Sequence, residues 1–257
     1  MKIDSLKTLI LIILLSSSSI LVAQPVRIAV AANAQGLIKK LQADFKKRTG
    51  IETQAIIGAS GKLTTQIRNG APYDVFLSAD TEFPEKLYTA GFGLRKPEVY
   101  ALGSLIICSK APLAIKNWTA ILSSDDIRKI AIANPKTAPY GKAAEQALSF
   151  YNLNTIVKSK LVYGESISQV NTYILTGNVN IGFTTEAFLY ENIDKGSMKW
   201  SRVDPKSYDE IAQSAILLSY ANKGNLKSAT RFCDYLSSPS ARKIIGSSGY
   251  HLPSIKK

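Results

Sequence analysis

Hydroxyl, carboxamide and very small side chains gather at four points of this sequence: Ala31-Ala-Asn-Ala34, Gly58-Ala-Ser-Gly61, Thr137-Ala-Pro-Tyr-Gly141 and Glu165-Ser-Ile-Ser168. Each has the form of a turn that leaves a strand and starts a helix. The first N–H groups of a helix have no partner within it, and partial positive charge collects there. Such ends hold anions, and glycine or alanine lets an anion come close to the backbone. Asn33, Ser60 and Tyr140 add neutral side-chain donors. The plainer alternative for each turn is a routine helix cap or loop; four such turns on one chain favour anion binding.

Catalytic patterns fail at the same residues. His251 is the one histidine of the chain and lies near its C-terminus. Cys108 and Cys233 have no histidine or further cysteine nearby, so no metal-ligand spacing exists. Gly58-Ala-Ser-Gly61 lacks the glycine placement of a nucleophile elbow. Gly61-Lys62 and Gly141-Lys142 lack the upstream glycine and following Ser/Thr of a phosphate-binding loop. The expectation is a binding protein rather than an enzyme.

The elements that must carry these turns alternate. Strands are predicted over 26–31, 52–57, 74–78, 105–109, 130–133, 160–163, 180–184 and 215–219. Helices are predicted over 36–48, 62–69, 84–89, 125–129, 142–151, 168–176, 226–236 and 240–247. The helix over 36–48 sets Leu37, Ile38, Leu41 and Phe45 on one face and stops at Gly50. Strand–helix alternation predicts an α/β protein with parallel sheets covered on both faces. Two lobes joined by the strands near Leu105 and Ala215 satisfy the pattern, and one doubly wound domain is the alternative. In open α/β sheets, ligands bind at the carboxyl ends of strands, where the four turns lie.

The N-terminus has a lysine-bearing head and an apolar run from Leu9 to Leu15, then serines and Ala23. This is the layout of a secretory signal peptide over residues 1–23, too short for a membrane span. No cysteine near Ala23 offers a lipid attachment point, so a free periplasmic form beginning at Gln24 is expected. The net charge of +13 is scattered rather than gathered into an aromatic-interleaved stripe, which argues against nucleic acid. It reads as a solvated basic surface that attracts anions at long range. Export permits a disulfide, yet Cys108 and Cys233 read as buried free thiols.

Five segments in this order and spacing resemble the periplasmic molybdate-binding proteins of ABC transporters. They are Val30-Ala-Ala-Asn33; Gly58-Ala-Ser-Gly61 with Gln66 to Asp80; Ile132 to Gly141; Gln169-Val170 through Gly177 to Phe183; and Phe232 to Tyr250. The resemblance covers essentially all of the chain after residue 23. It implies a type II periplasmic-binding-protein fold, two α/β lobes with a cleft between them and two hinge crossovers. The lobes are expected at residues 24–103 with 217–257, and at 104–216. It also implies a monomer that takes molybdate or tungstate as its ligand, has no cofactor and no directly coordinated metal, and delivers the anion to a membrane permease.

The family's ligand contacts carry over by position. Asn33 stands where members use Asn or Ser, Ser60 matches a hydroxyl and N–H donor, and Tyr140 matches a tyrosine donor. Ile167 matches a backbone N–H donor. Ala32 stands where some members have Thr, so its backbone alone could serve. Members that use a later tyrosine differ, since Phe183 and Thr184 occupy that neighbourhood here. All these groups are neutral donors, which suits a fully deprotonated dianion. A phosphate site would more naturally add a carboxylate, and Glu165 and Asp80 are read as structural. Sulfate, phosphate, a hydrolase on an anionic substrate and a ferric-iron binder are the alternatives.

Overall fold

The computed structural model describes residues 24–192 and 198–254. The proposed signal segment at 1–23 lies outside them. The chain forms two lobes, each built on a five-stranded sheet. In the first, β1 (Val26–Ala31) pairs parallel with β2 (Thr53–Gly58) on one side and β3 (Val75–Leu77) on the other. Beyond β3 come β10 (Ile211–Leu217) and the edge strand β4 (Glu98–Gly103). The second sheet runs β7 (Leu161–Gly164), β6 (Ile130–Ala133), β8 (Ile181–Thr185), β5 (Leu105–Ser109), β9 (Lys199–Arg202).

The sheets are mixed rather than wholly parallel as the alternation predicts. β10 runs antiparallel to β3 and β4, and β5 runs antiparallel to β8 and β9. The strands that carry the chain between lobes enter each sheet against its other strands, and so they break the parallel rule. The first crossover falls between β4 and β5. The return falls before Ile211, because all of β10 is bonded into the first sheet. The expected limit at 216/217 therefore cuts through a strand, and residues 211–216 belong with the first sheet. β4 and β9 were not anticipated as strands: both are edge strands with exposed charged residues, Glu98 and Lys199, which hide a period-2 signal. The helix expected over 125–129 is a turn at 125–126 followed by irregular chain, where the Asn180 carboxamide oxygen accepts from the Arg128 and Lys129 N–H groups at 3.0 and 2.9 Å. The helix there is Trp118–Ser123 instead.

Helix α1 (Gln35–Thr49) buries Leu37, Ile38, Leu41 and Phe45 against the first sheet. It ends at Gly50, whose φ of 72° lets its N–H turn back to the Lys46 carbonyl. Helices α2 (Ser60–Arg68) and α3 (Glu82–Thr89) cover the opposite face, where Leu63, Ile67, Phe76 and Leu87 pack together. In the second lobe α4 is Trp118–Ser123, α5 is Pro139–Phe150, α6 is Asn154–Val157, α7 is Ile167–Thr176 and α8 is Glu186–Glu191. The chain closes with α9 (Leu226–Tyr235) and α10 (Pro239–Gly246), both on the first lobe. Cys108 and Cys233 are free and buried, and burial pushes each thiol up to about 12. Among the described residues no helix is long and apolar enough to cross a membrane.

The C-terminal helices are tied to α1 by one carboxylate. Asp44 accepts from Arg48 at 2.7 Å, from Ser240 at 2.7 Å and from the Tyr235 hydroxyl at 2.9 Å. These bonds, Arg48 foremost, lower its pKa from 3.8 to about 2. A depressed carboxylate contributes stability above its unfolded pKa and loses it as pH falls through the folded one. Asp44→Asn should lower stability at neutral pH by about 1 kcal/mol, since the site is near solvent. Thermal melts of wild type and variant should converge as pH falls from 3.8 to about 2. A constant gap across that window would show that charge plays no part in the tie.

Candidate functional site

The four turns singled out by residue type meet between the lobes. From the first lobe come the 3-10 turn Ala32–Ala34, which leads from β1 into α1, and the start of α2 at Ser60. From the second come the start of α5 at Pro139 and of α7 at Ile167. No N-cap side chain bonds to any of these starts: the N-cap residues are Ala31 and Ala34, Ala59, Ala138 and Ser166, although the Gly36 N–H of α1 donates to Glu191 Oε1 at 3.1 Å. Alanine has no acceptor to offer, so first-turn N–H groups other than those of Gly36 and Gly61, which bond to Glu191 and to the Thr137 carbonyl, stay available.

Asn33, Ser60, Tyr140, Ile167 and Ala32 all line one small cavity, together with Ala31, Ala59, Ala79, Ala138 and Pro139. The five named residues are buried, none more than 7 % exposed. Its polar side chains are thus one hydroxyl, one phenol and one carboxamide, and no lining residue is ionisable as an acid or a base at neutral pH. Ser60 Oγ accepts from the Ala79 N–H at 3.1 Å, which leaves its own proton to donate. The Tyr140 hydroxyl is buried and has no partner among the described residues. Burial pushes its pKa well above 10, so it stays a proton donor.

Asn33 is more constrained than the sequence implies. Its Nδ2 donates to Gln213 Oε1 at 2.7 Å and to the Tyr250 hydroxyl at 3.2 Å, and Tyr250 donates in turn to the Asn33 carbonyl at 2.8 Å. Both amide protons are therefore engaged within the protein. Sequence reasoning missed Gln213 and named Tyr250 only within a segment; a glutamine in a short strand gives no sign that it is buried. The C-terminal tail brings Tyr250 here because His251 bonds with Leu102 of β4 in both directions, at 2.8 and 2.9 Å.

The lobes touch around the cavity. The Gly61 N–H donates to the Thr137 carbonyl at 2.9 Å, and Ser168 Oγ donates to the Ala32 carbonyl at 3.3 Å. A Cβ on Gly61 would stand 3.0 Å from the Thr137 Cα, so this approach needs glycine. Two ion pairs cross the cleft in opposite senses, Lys62 of the first lobe to Glu165 of the second, and Lys142 of the second to Glu82 of the first at 3.2 Å. Asp80 lies in the groove beside the cavity, where it accepts from Ser78 at 2.8 Å and from the Phe83 N–H at 3.3 Å. Glu165 and Asp80 thus both have structural partners. Among the described residues no group of three or more metal-ligating side chains occurs.

Comparison with known proteins agrees with this architecture. A family model for bacterial extracellular solute-binding proteins matches residues 26–251. The molybdate-binding protein ModA of Azotobacter vinelandii is 38 % identical over 232 residues, 90 % of this chain and 91 % of that protein. The ModA of Rhodobacter capsulatus is 35 % identical over 223 residues, 86 % of each. The solved structure of the Azotobacter vinelandii periplasmic molybdate-binding protein superposes with a TM-score of 0.83 at 33 % identity, over 89 % of this chain and all of that one. With the match running from β1 to the C-terminal tail that holds Tyr250, the chain belongs to the bacterial extracellular solute-binding proteins.

Proposed function

We propose that this protein captures molybdate or tungstate in the periplasm and delivers it to the membrane permease of an ABC transporter. The observation that carries the reading is the cavity shared by both lobes, into which helix starts and neutral donors converge without an ionised side chain. Molybdate at neutral pH carries two negative charges and no proton. Such an ion needs donors and is repelled by acceptors. A buried site of low dielectric strengthens each donor bond, and dipoles spread over several helix ends take the place of a counter-charge. Protonated phosphate would call for a carboxylate facing the ligand, and Glu165 and Asp80 are engaged elsewhere. The two relatives named as molybdate-binding proteins support the same choice.

The contacts we assign are the Ser60 hydroxyl and N–H, the Tyr140 hydroxyl, Asn33, and the backbone N–H groups at Ile167 and Ala32. The role is binding rather than catalysis, since the groups lining the cavity are donors with no base among them. The protein acts as a monomer, exported by a signal peptide cleaved after Ala23.

Calorimetry with molybdate, tungstate, sulfate and phosphate in parallel tests the ligand class. The first two should bind tightly, and equal or tighter sulfate binding would sink the assignment. Ser60→Ala and Tyr140→Phe each remove a donor to a buried charge, worth about 1.5–3 kcal/mol, so affinity should fall about tenfold or more. Wild-type affinity in both would mean that the ligand sits elsewhere.

Closure is tested at the Gly61–Thr137 contact. Saturating molybdate should compact the wild-type protein in small-angle scattering and raise its melting temperature, because the ligand stabilises only the folded, closed form. In Gly61→Ala the added methyl group meets the other lobe, so compaction should be incomplete and binding weaker. Full compaction of this variant would show that the lobes need not approach so closely.

The N-terminus gives a separate check. Mass spectrometry of protein recovered from the periplasm should find a chain beginning at Gln24, and an intact Met1 terminus would refute cleavage.

A further inference from the structure

Behind the cavity lies a set of buried polar groups whose donors and acceptors do not match. Gln213 is fully buried on β10. It sits where the ladder with β4 slips: Gln213 pairs with Ala101 and Ser214 with Val99, leaving Tyr100 as the extra residue of a bulge. Bulges re-aim side chains, and here the Tyr100 hydroxyl approaches Gln213 Oε1 at 3.4 Å, the oxygen that already accepts from Asn33 Nδ2 at 2.7 Å. One end of the Gln213 carboxamide is thus bonded twice. The other end, Nε2, is buried with no acceptor among the described residues, and so is the Tyr140 hydroxyl. Both face one spot: a Cβ on Gly103 would fall on the Tyr140 hydroxyl and 3.1 Å from Gln213 Nε2.

Asn33 has the complementary defect. Its Nδ2 makes both of the side chain's bonds, so the arm without a protein partner is the oxygen Oδ1. A residue that lines an anion cavity would then offer it an acceptor. Rotating both carboxamides by half a turn exchanges their donors and acceptors while the heavy-atom positions barely change. Gln213 Nε2 then donates to Asn33 Oδ1, Tyr100 remains a partner as an acceptor, and Gln213 Oε1 moves to the side of the Tyr140 hydroxyl, whose one proton goes to the anion when it is bound. The Tyr250 hydroxyl keeps its bond to the Asn33 carbonyl and loses the one from Nδ2. Asn33 Nδ2 is released toward the cavity.

We propose that Gln213 is a positioning residue that sets which way the Asn33 carboxamide faces, and that the two amides turn together when the anion binds. The ligand selects the turned arrangement because it interacts favourably with Nδ2 and unfavourably with Oδ1. The inference rests on the reading of this cavity as the oxyanion site.

The test uses the full protein, labelled with nitrogen-15, titrated with sodium molybdate. Side-chain NH2 signals of Asn33 and Gln213 are assigned by their loss in Asn33→Ala and Gln213→Glu. In the wild type both pairs of signals should shift on binding; the shift at Gln213, which does not line the cavity, is the one that a fixed packing role would not produce. Gln213→Glu offers only acceptors, keeps Nδ2 turned away and adds a negative charge, so molybdate affinity should fall about a hundredfold or more. Gln213→Met offers neither donor nor acceptor and should cost about tenfold. Wild-type binding without movement of either amide signal overturns the proposal. So does wild-type affinity in both variants, even if their melting temperatures fall. A wild-type protein that takes up no molybdate instead overturns the site reading, and this inference with it.

Discussion

Backbone N–H groups at four helix starts, none of them bonded by its N-cap side chain, set the terms for the rest of this fold. A folded protein seldom leaves such groups without partners in a buried place, because each costs a hydrogen bond that water would otherwise supply. Here they face a shared cavity from two directions. Parallel strands β1, β2 and β3 on one side, and β6, β7 and β8 on the other, end at that cavity because parallel pairing points their carboxyl ends the same way. Alanine at cap positions 31, 34, 59 and 138 leaves those protons without an N-cap acceptor, and Ser166 at the start of α7 makes no cap bond; an aspartate in any of these places would accept them and repel an anion.

The contacts between the lobes are small and mostly reversible. The Gly61–Thr137 backbone bond, bonds from Ser168 Oγ to the Ala32 carbonyl and to Gln35, a bond from the Gly36 N–H to Glu191 and two crossed ion pairs span the cleft. The ion pairs are half exposed, and pairs of that kind contribute little and weaken with salt. Reversal of sign between them keeps a lysine and a glutamate on each rim, so neither lobe presents a uniform charge to an arriving anion. Weak closure suits a protein that must open again to release its cargo. The firm interactions are instead within each lobe, where the aromatic pair Phe45 and Phe232 and the Asp44 cluster bind the C-terminal helices to α1.

Much of this was legible in the residue order. The four turns announced themselves because small and hydroxylated residues follow apolar runs, and all five residues named from the sequence line the same cavity. Strands β4 and β9 were missed because edge strands alternate poorly and carry charge. The second crossover was placed too late because apolar Ala215–Ile–Leu217 is conspicuous and Gln213-Ser214 before it is not, although both of the latter are buried. Polarity in a sequence says nothing about which polar groups lie inside. The partners of Asn33 depend on residues 180 and 217 positions away, joined only by the packing of β10 and of the C-terminal tail.

The tail has a consequence for how the molecule is made. The second lobe is one continuous stretch of chain, whereas the first needs β10, α9, α10 and the strand-like contact of His251 with Leu102. During synthesis or export, the inserted lobe can acquire its core while the outer one still lacks a central strand. Contacts that join distant parts of a chain form late, since loop closure must precede them. Tyr250, which braces Asn33, belongs to the last such contact. The surroundings of Asn33 are therefore completed late, and a chain interrupted between β10 and Tyr250 can hold both sheets without the hydroxyl that braces Asn33.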